Sequence, residues 1–234
     1  MAPDQASHSW LPSMLQSVDP LFPIGSYAHS YGFEEYVALT KSASKEDLLE
    51  FMLSVVNLNL SQFELPYLRF SYKAQGDESE ADIAKLDQEI GAAKLSLETR
   101  LASSAQGQQR LRLLEKVRAG SQIGILSRLA KQGDVAPHHI TVFAAERIQL
   151  STPLEATLIS WAYQAFAAPC AASLKIMRIG QDSAQWALTQ ALSWIPDIVE
   201  ESLQIEREWA GAFNPFIDIA SDRHERAYAR LFIS

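Results

Sequence analysis

One cysteine, Cys170, stands in 234 residues, so no disulfide can close within the chain and nothing calls for an oxidising compartment. It follows Pro169 in an alanine-rich apolar stretch, a setting that predicts a buried, inert thiol rather than a nucleophile. Positive charge is also scarce: 20 Lys and Arg against 28 Asp and Glu leave a net charge of −8, with no basic stripe. Binding to a nucleic-acid backbone needs clustered cations, so that class is excluded. The acidic balance has two readings, a solubility device or a complement to a basic partner. No run approaches the ~20 uninterrupted apolar residues of a membrane span. Met1 to Trp10 lacks a basic start followed by an apolar run, so a cytoplasmic chain is expected.

Catalytic patterns are missing too. Gly25-Ser26 is not followed by the Gly-Lys-[Ser/Thr] of a phosphate-cradling loop, and Lys41 lies far beyond it. No Gly-x-Ser-x-Gly elbow occurs, and no strand is available to carry one. His8, His29, His138, His139 and His224 form no His-x-x-x-His pair. His138 and His139 are adjacent, so on a helix their side chains diverge by about 100° and do not chelate one ion. Neither an enzyme nor a resident metal or cofactor is expected.

What is present is helical periodicity. With 47% hydrophobic and 21% charged residues the chain is globular, and its length suits one domain over 1–234. Ser44 and Asp47 form an N-cap pair ahead of a stripe of Leu48, Leu49, Met52, Val56, Leu60 and Phe63, which Pro66 should break or kink. After it Leu68, Phe70 and Tyr72 continue a short apolar face to Gly76, and the acidic run Asp77, Glu78, Glu80 and Asp82 then reads as a solvated connection and helix start. Ile83, Leu86, Ile90, Ala93, Leu97 and Leu101 predict one long amphipathic helix, extended through Leu111, Leu114 and Val117 to Gly120. Gly91 and Gly107 should serve close helix approach or mark an end. A further helix with Ile123, Leu126 and Leu129 should end near Gly133, and Pro137 should open the next, with Ile140, Phe143, Ala144 and Ile148. Thr152-Pro153-Leu154-Glu155 signals another start, with Thr152 as cap, leading a small-residue helix to Pro169 that suits a central position. Trp186, Ala187, Ala191, Trp194 and Ile195 form one more stripe, and Ile198, Val199, Leu203 and Trp209 follow Pro196. Without period-two runs or Asn-Gly hairpins, the fold class is all-α.

The two ends stand apart from this helical text. Asp19 to Glu35 holds Pro20, Pro23, Gly25, Gly32, Tyr27, Tyr31, Ser26, Ser30 and His29, the makings of a rigid loop with a shaped surface, or of a turn feeding a buried helix. The segment 214–234 alternates Pro215, Phe216, Ile217 and Ile219 with Arg223, Arg226, Tyr228, Arg230 and Phe232. That pattern suits a protein interface or a tail folded back on its own helices.

The wording of both ends is similar to one family. Leu15-Gln16, Asp19-Pro20, Phe22-Pro23-Ile24-Gly25-Ser26-Tyr27, His29-Ser30, Gly32 and Glu34 resemble the N-terminal signature of the urease accessory protein UreF family. Pro215, Asp218-Ile219-Ala220-Ser221, His224-Glu225, Tyr228 and Arg230-Leu231-Phe232-Ile233-Ser234 resemble its C-terminal ending. Lys175, Gly180-Gln181 and Gln185, together with Glu98, Arg100, Ser103 and Gly107, resemble its middle, where Ala102, Ala105, Gln106 and Arg178-Ile179 depart from it.

The resemblance implies an all-helical cytoplasmic homodimer that binds UreD (UreH in some lineages), recruits the GTPase UreG, and acts with them on apo-urease during GTP-dependent nickel insertion. The alternative is a helical interaction module outside urease maturation. Carried over residue by residue, partner binding falls on Tyr27, His29, Ser30 and Glu34 in the N-terminal segment 1–35. In the tail it falls on His224, Tyr228, Arg230, Leu231 and Phe232, and in the middle on Lys175 and Gln181. Tyr27 and Arg230 are expected to share one hydrogen-bonded network. His29 beside Glu34 and Glu35, or His224 beside Glu225, is either an ordinary hydrogen-bonded histidine or an N/O contact for passing nickel at an assembly interface.

Overall fold

The computed structural model describes residues 8–24, 32–41, 43–211, 214–225 and 231, with 224 and 225 described by backbone alone. Every regular element among the described residues is a helix, in agreement with the all-α expectation. In chain order the helices are α1 (Leu11–Val18), α2 (Phe33–Thr40), α3 (Lys45–Phe51), α4 (Asn57–Asn59), α5 (Leu65–Gly76), α6 (Glu80–Ala93) and α7 (Leu97–Val117). They continue as α8 (Ser121–Gln132), α9 (His139–Gln149), α10 (Leu154–Ile176), α11 (Gln181–Leu192), α12 (Ile195–Gln204) and α13 (Pro215–Glu225).

The Ser44 cap forms as expected. Its hydroxyl accepts from the Asp47 N–H at 3.1 Å while the Asp47 carboxylate accepts from the Ser44 N–H at 3.0 Å, a reciprocal box that starts α3. Those bonds hold the Asp47 carboxyl below its usual range, the Ala43 N–H contributing most.

Of the two outcomes expected at Pro66, a break does not occur: the helix runs on through it. Two π segments, Met52–Val56 and Leu60–Glu64, widen the chain before it, with the Leu65 N–H reaching back to the Leu60 carbonyl. In a plain α-helix Pro66 would leave the Gln62 carbonyl without its donor. Here that carbonyl accepts from the Gly211 N–H at 3.0 Å, so a proline defect becomes a tertiary bond.

The long helix expected over residues 83–117 is two helices. Lys94 turns extended, and the Ser96 side chain accepts from the Thr99 N–H at 3.3 Å to restart the chain as α7. Leu97 and Leu101, in phase with the buried stripe, are therefore 50% and 59% exposed. Further on, α8 ends on Gly133 in the left-handed region, as expected. At Thr152 the start is right but the cap is wrong: Pro153 takes the cap position and the Thr152 hydroxyl finds no hydrogen-bond partner. Pro169 lies inside α10, buried, rather than ending it.

The small-residue helix α10 packs against α1, α2, α3, α5, α11 and α12, and the most continuously buried helix is α9. Residues 140–147 are buried without interruption, and α9 packs against α5, α6, α7 and α8. Its start lacks a side-chain cap of its own and is capped from α6. Asp87 accepts from the Ala136 N–H (2.7 Å), the His138 N–H (2.8 Å) and the Thr141 hydroxyl (2.7 Å). Burial pushes the adjacent His138 below its usual value, with Asp87 opposing. The two glycines expected at close approaches are there: Cβ atoms would meet His138 Nε2 at 2.7 Å from Gly91 and the Pro137 carbonyl at 1.9 Å from Gly107.

One carboxylate organises the charges in this core. Glu146 accepts from Arg110 of α7 at 2.9 Å and 2.5 Å and pairs with Arg118, while Arg110 also donates to the Ser17 carbonyl of α1 at 3.1 Å. Arg147 is 0% exposed, and among the described residues none of its guanidinium nitrogens has a hydrogen-bond partner; its charge faces the Phe143 ring at 4.1 Å. Burial first, then the Arg110 charge, push its pKa down to about 9. The folded value is the lower one, so the cost is full below about 9 and fades as pH rises above it. Replacing Arg147 with Met is expected to raise stability by about 1–4 kcal/mol at neutral pH, read as a higher thermal midpoint. A lower midpoint would mean that the charge is compensated after all.

Candidate partner-docking face

The two ends of the chain meet. Gly32 starts α2 at φ 85°, a left-handed conformation that a side chain would strain, and a Cβ there would lie 3.5 Å from the Ala220 Cβ of α13. One turn on, Tyr36 stacks edge-on against Phe216 with centroids 5.7 Å apart, and it also meets Phe51 of α3 at 5.0 Å. Glu35 pairs with Arg223, and Glu34 Oε1 accepts from the Leu231 N–H at 2.9 Å. Arg223 is the more exposed member of its pair, which makes that bond an alignment device more than a source of stability.

The start of α7 supplies the other side of the α13 berth. Ser96 and Ser221 hydroxyls lie 2.7 Å apart, and Ser221 donates to Glu98 at 3.2 Å. Burial pushes the Asp218 carboxyl above its usual range, against the Ser96 N–H and the Lys94 ammonium. Burial likewise holds Lys94 below its usual value, with Glu64 and Asp218 opposing. Exposed aliphatics flank this junction: Leu95 at 67%, Leu97 at 50%, Ile219 at 56% and Leu231 at 66%. An exposed apolar set around a fixed polar frame is the usual make-up of a docking surface.

A cavity of about 360 Å³ opens beneath, lined by Phe22, Ile24, Lys94, Trp161, Lys175 and Asp218 among others. It joins Lys175, in the last turn of α10, to the elements of the two ends. Gln181 is exposed in the first turn of α11 and is not part of the lining. Of the residues expected from sequence, Glu34 and Leu231 are brought into direct contact. Tyr27, His29, Ser30, Tyr228, Arg230 and Phe232 lie outside the described residues, as does the His224 side chain. The sequence reading did not assign Glu35, Tyr36, Ser96 or Ser221 to partner binding, although Glu35 and Ser221 stand within the two end segments it singled out.

Among the described residues no group of three His, Cys, Asp or Glu side chains is placed to hold a metal ion. No described helix is long and apolar enough to cross a membrane. Cys170 is buried and its thiol is pushed up to about 12 by that burial, which keeps it protonated and unreactive.

Among the described residues the chain is all-helical, with α2 and α13 joined in one partly exposed face. The family model for UreF matches residues 42–192, well over half of the sequence, and the chain belongs to the UreF family of urease accessory proteins. Curated relatives agree over nearly the full length. A urease accessory protein UreF from Azoarcus sp. (strain BH72) is 30% identical over 225 residues, covering 94% of each chain. One from Actinobacillus pleuropneumoniae serotype 3 is 26% identical over 224 residues, covering 96% of this chain and 99% of the relative. One from Haemophilus influenzae (strain PittEE) is 26% identical, covering 96% and 95%.

Proposed function

We propose that this chain is an adaptor in GTP-dependent nickel insertion into apo-urease, binding UreD (UreH) through the face formed by its two ends and recruiting or modulating the GTPase UreG. It acts as one helical domain, dimeric, in the cytoplasm, and nickel is cargo rather than a resident cofactor. The observation that carries this reading is the Glu34–Leu231 bond at 2.9 Å, which joins the two family signatures across nearly the whole sequence. Neither signature can shape a surface alone, because α2 and α13 hold each other through Glu35–Arg223 and Tyr36–Phe216.

Affinity purification with co-expressed UreD, alongside urease activation in cells lacking the chain, tests the reading. Arg230→Ala and Glu34→Gln are each expected to cut UreD retention by about tenfold, the loss of one anchoring interaction at an interface, with helix content unchanged. Re-expression of the wild-type chain should restore urease activity. Full UreD retention by both variants would remove this face from the assignment, and normal urease activity without the chain would remove the pathway.

A further inference from the structure

The loop between α12 and α13 displays a tryptophan. Trp209 is 76% exposed, whereas Trp161 is 7% exposed and Trp186 carries Lys45 over its ring at 4.1 Å. Its loop is nevertheless held from several sides. Arg69 of α5 donates to the Ile205 carbonyl, and Arg207 grips Glu89 of α6 through two bonds of 2.9 Å. The Trp209 and Ala210 N–H groups both close onto the Glu206 carbonyl at 3.0 Å, and the Gly211 N–H is held by Gln62 at 3.0 Å. An indole kept in water on a preorganised turn loses little further entropy on binding, which is how interface anchors work.

Exposed charge on the turn itself is acidic. Glu206 and Glu208 stand three and one positions before Trp209, both exposed and without an ion pair among the described residues, while Arg207 is neutralised by Glu89 and Arg69 is occupied by the Ile205 carbonyl. The last turn of α12 adds Leu203, 40% exposed. A π face on a turn that also carries two exposed carboxylates attracts a guanidinium or ammonium twice, by the ring quadrupole and by the charge of the turn.

We propose that Trp209 anchors a second docking point, distinct from the face formed by the two ends, which takes a basic protein surface presenting an arginine or lysine to the indole. The inference rests on the adaptor reading above and adds a second contact to it: a chain held between two proteins needs two separate surfaces.

Purified UreD and UreG serve as probes in binding titrations against the wild-type chain, Trp209→Ala, and the double variant Glu206→Gln/Glu208→Gln. Trp209→Ala should weaken one of the two partners by roughly tenfold or more, with Trp209→Phe recovering part of the loss. The double variant should flatten the salt dependence of that same partner, since exposed charge pairs are screened. Wild-type affinity for both partners in both variants would overturn the inference while leaving the adaptor reading intact. A wild-type chain that binds neither partner would end both. Loss of self-association in Trp209→Ala, with partner binding intact, would overturn the inference in favour of a contact between copies.

Discussion

Replacing Glu146 with alanine is expected to cost about 3–5 kcal/mol of folding stability, the loss found when a buried charge network is stripped of one member. Arg110 is 0% exposed and Arg118 12% exposed, and both direct their charge at this carboxylate, itself 1% exposed. Arg147 adds a third cation that Glu146 helps to offset. Without the carboxylate, three guanidinium groups face one another in a space from which water is largely excluded, and the anchoring of α1 through Ser17 goes with it. For a chain of this length the thermal midpoint should fall by about 10 °C. Glu146→Gln should fall between the two, because the amide still accepts a hydrogen bond but carries no charge. A loss below about 1 kcal/mol would show that the arginines reach solvent readily. The combination Glu146→Leu with Arg110→Met should regain part of the loss, since it removes one stranded guanidinium while Arg118 and Arg147 still lack their carboxylate.

Gly107→Ala is the second large effect. A Cβ at this position would stand 1.9 Å from the Pro137 carbonyl oxygen, 2.8 Å from the His138 carbonyl carbon and 2.9 Å from the His139 nitrogen. All three are backbone atoms, so no side-chain rotation relieves the clash and α7 must move away from the start of α9. That displacement strains the Ser104 bond to the Ala136 carbonyl (2.6 Å) and the Asp87 cap. The cost should reach or exceed about 3 kcal/mol, the upper end for overpacking, despite alanine's propensity advantage of about 1 kcal/mol in a helix. Gly124 supplies the control: it lies inside α8, nothing lies within 4 Å of its notional Cβ, and Gly124→Ala should gain up to about 1 kcal/mol. Thermal melts of the two variants should therefore move in opposite directions; an unchanged midpoint for Gly107→Ala would mean that the two elements are not in contact.

Where the sequence was legible, the cause was local. The Ser44–Asp47 box, the Gly133 end and the closeness demanded by Gly91 and Gly107 each follow from residues a few positions apart or from a missing side chain. Where it was not, distant partners decided. The polar residues of α9 look like surface until Asp87 bonds Thr141 from 54 positions away and Arg110 bonds Glu146 from 36 positions away. Leu97 and Leu101 keep the phase of the preceding stripe, so periodicity runs straight through the break at Lys94–Ser96. In the candidate site the loop pattern pointed to Glu34 and the ending pointed to Leu231. No spacing rule reveals that Glu35 and Arg223, 188 positions apart, lie side by side.

The Gln62 carbonyl left over by Pro66 ties the rigidity of one helix to the pose of a remote indole, because the Gly211 N–H that it holds closes the loop carrying Trp209. An amino acid able to donate at position 66 would let the helix reclaim that oxygen and set the corner adrift. The molecule thus spends a little helical regularity on keeping an aromatic lever aimed outward, and a repair made in the name of stability would blunt it.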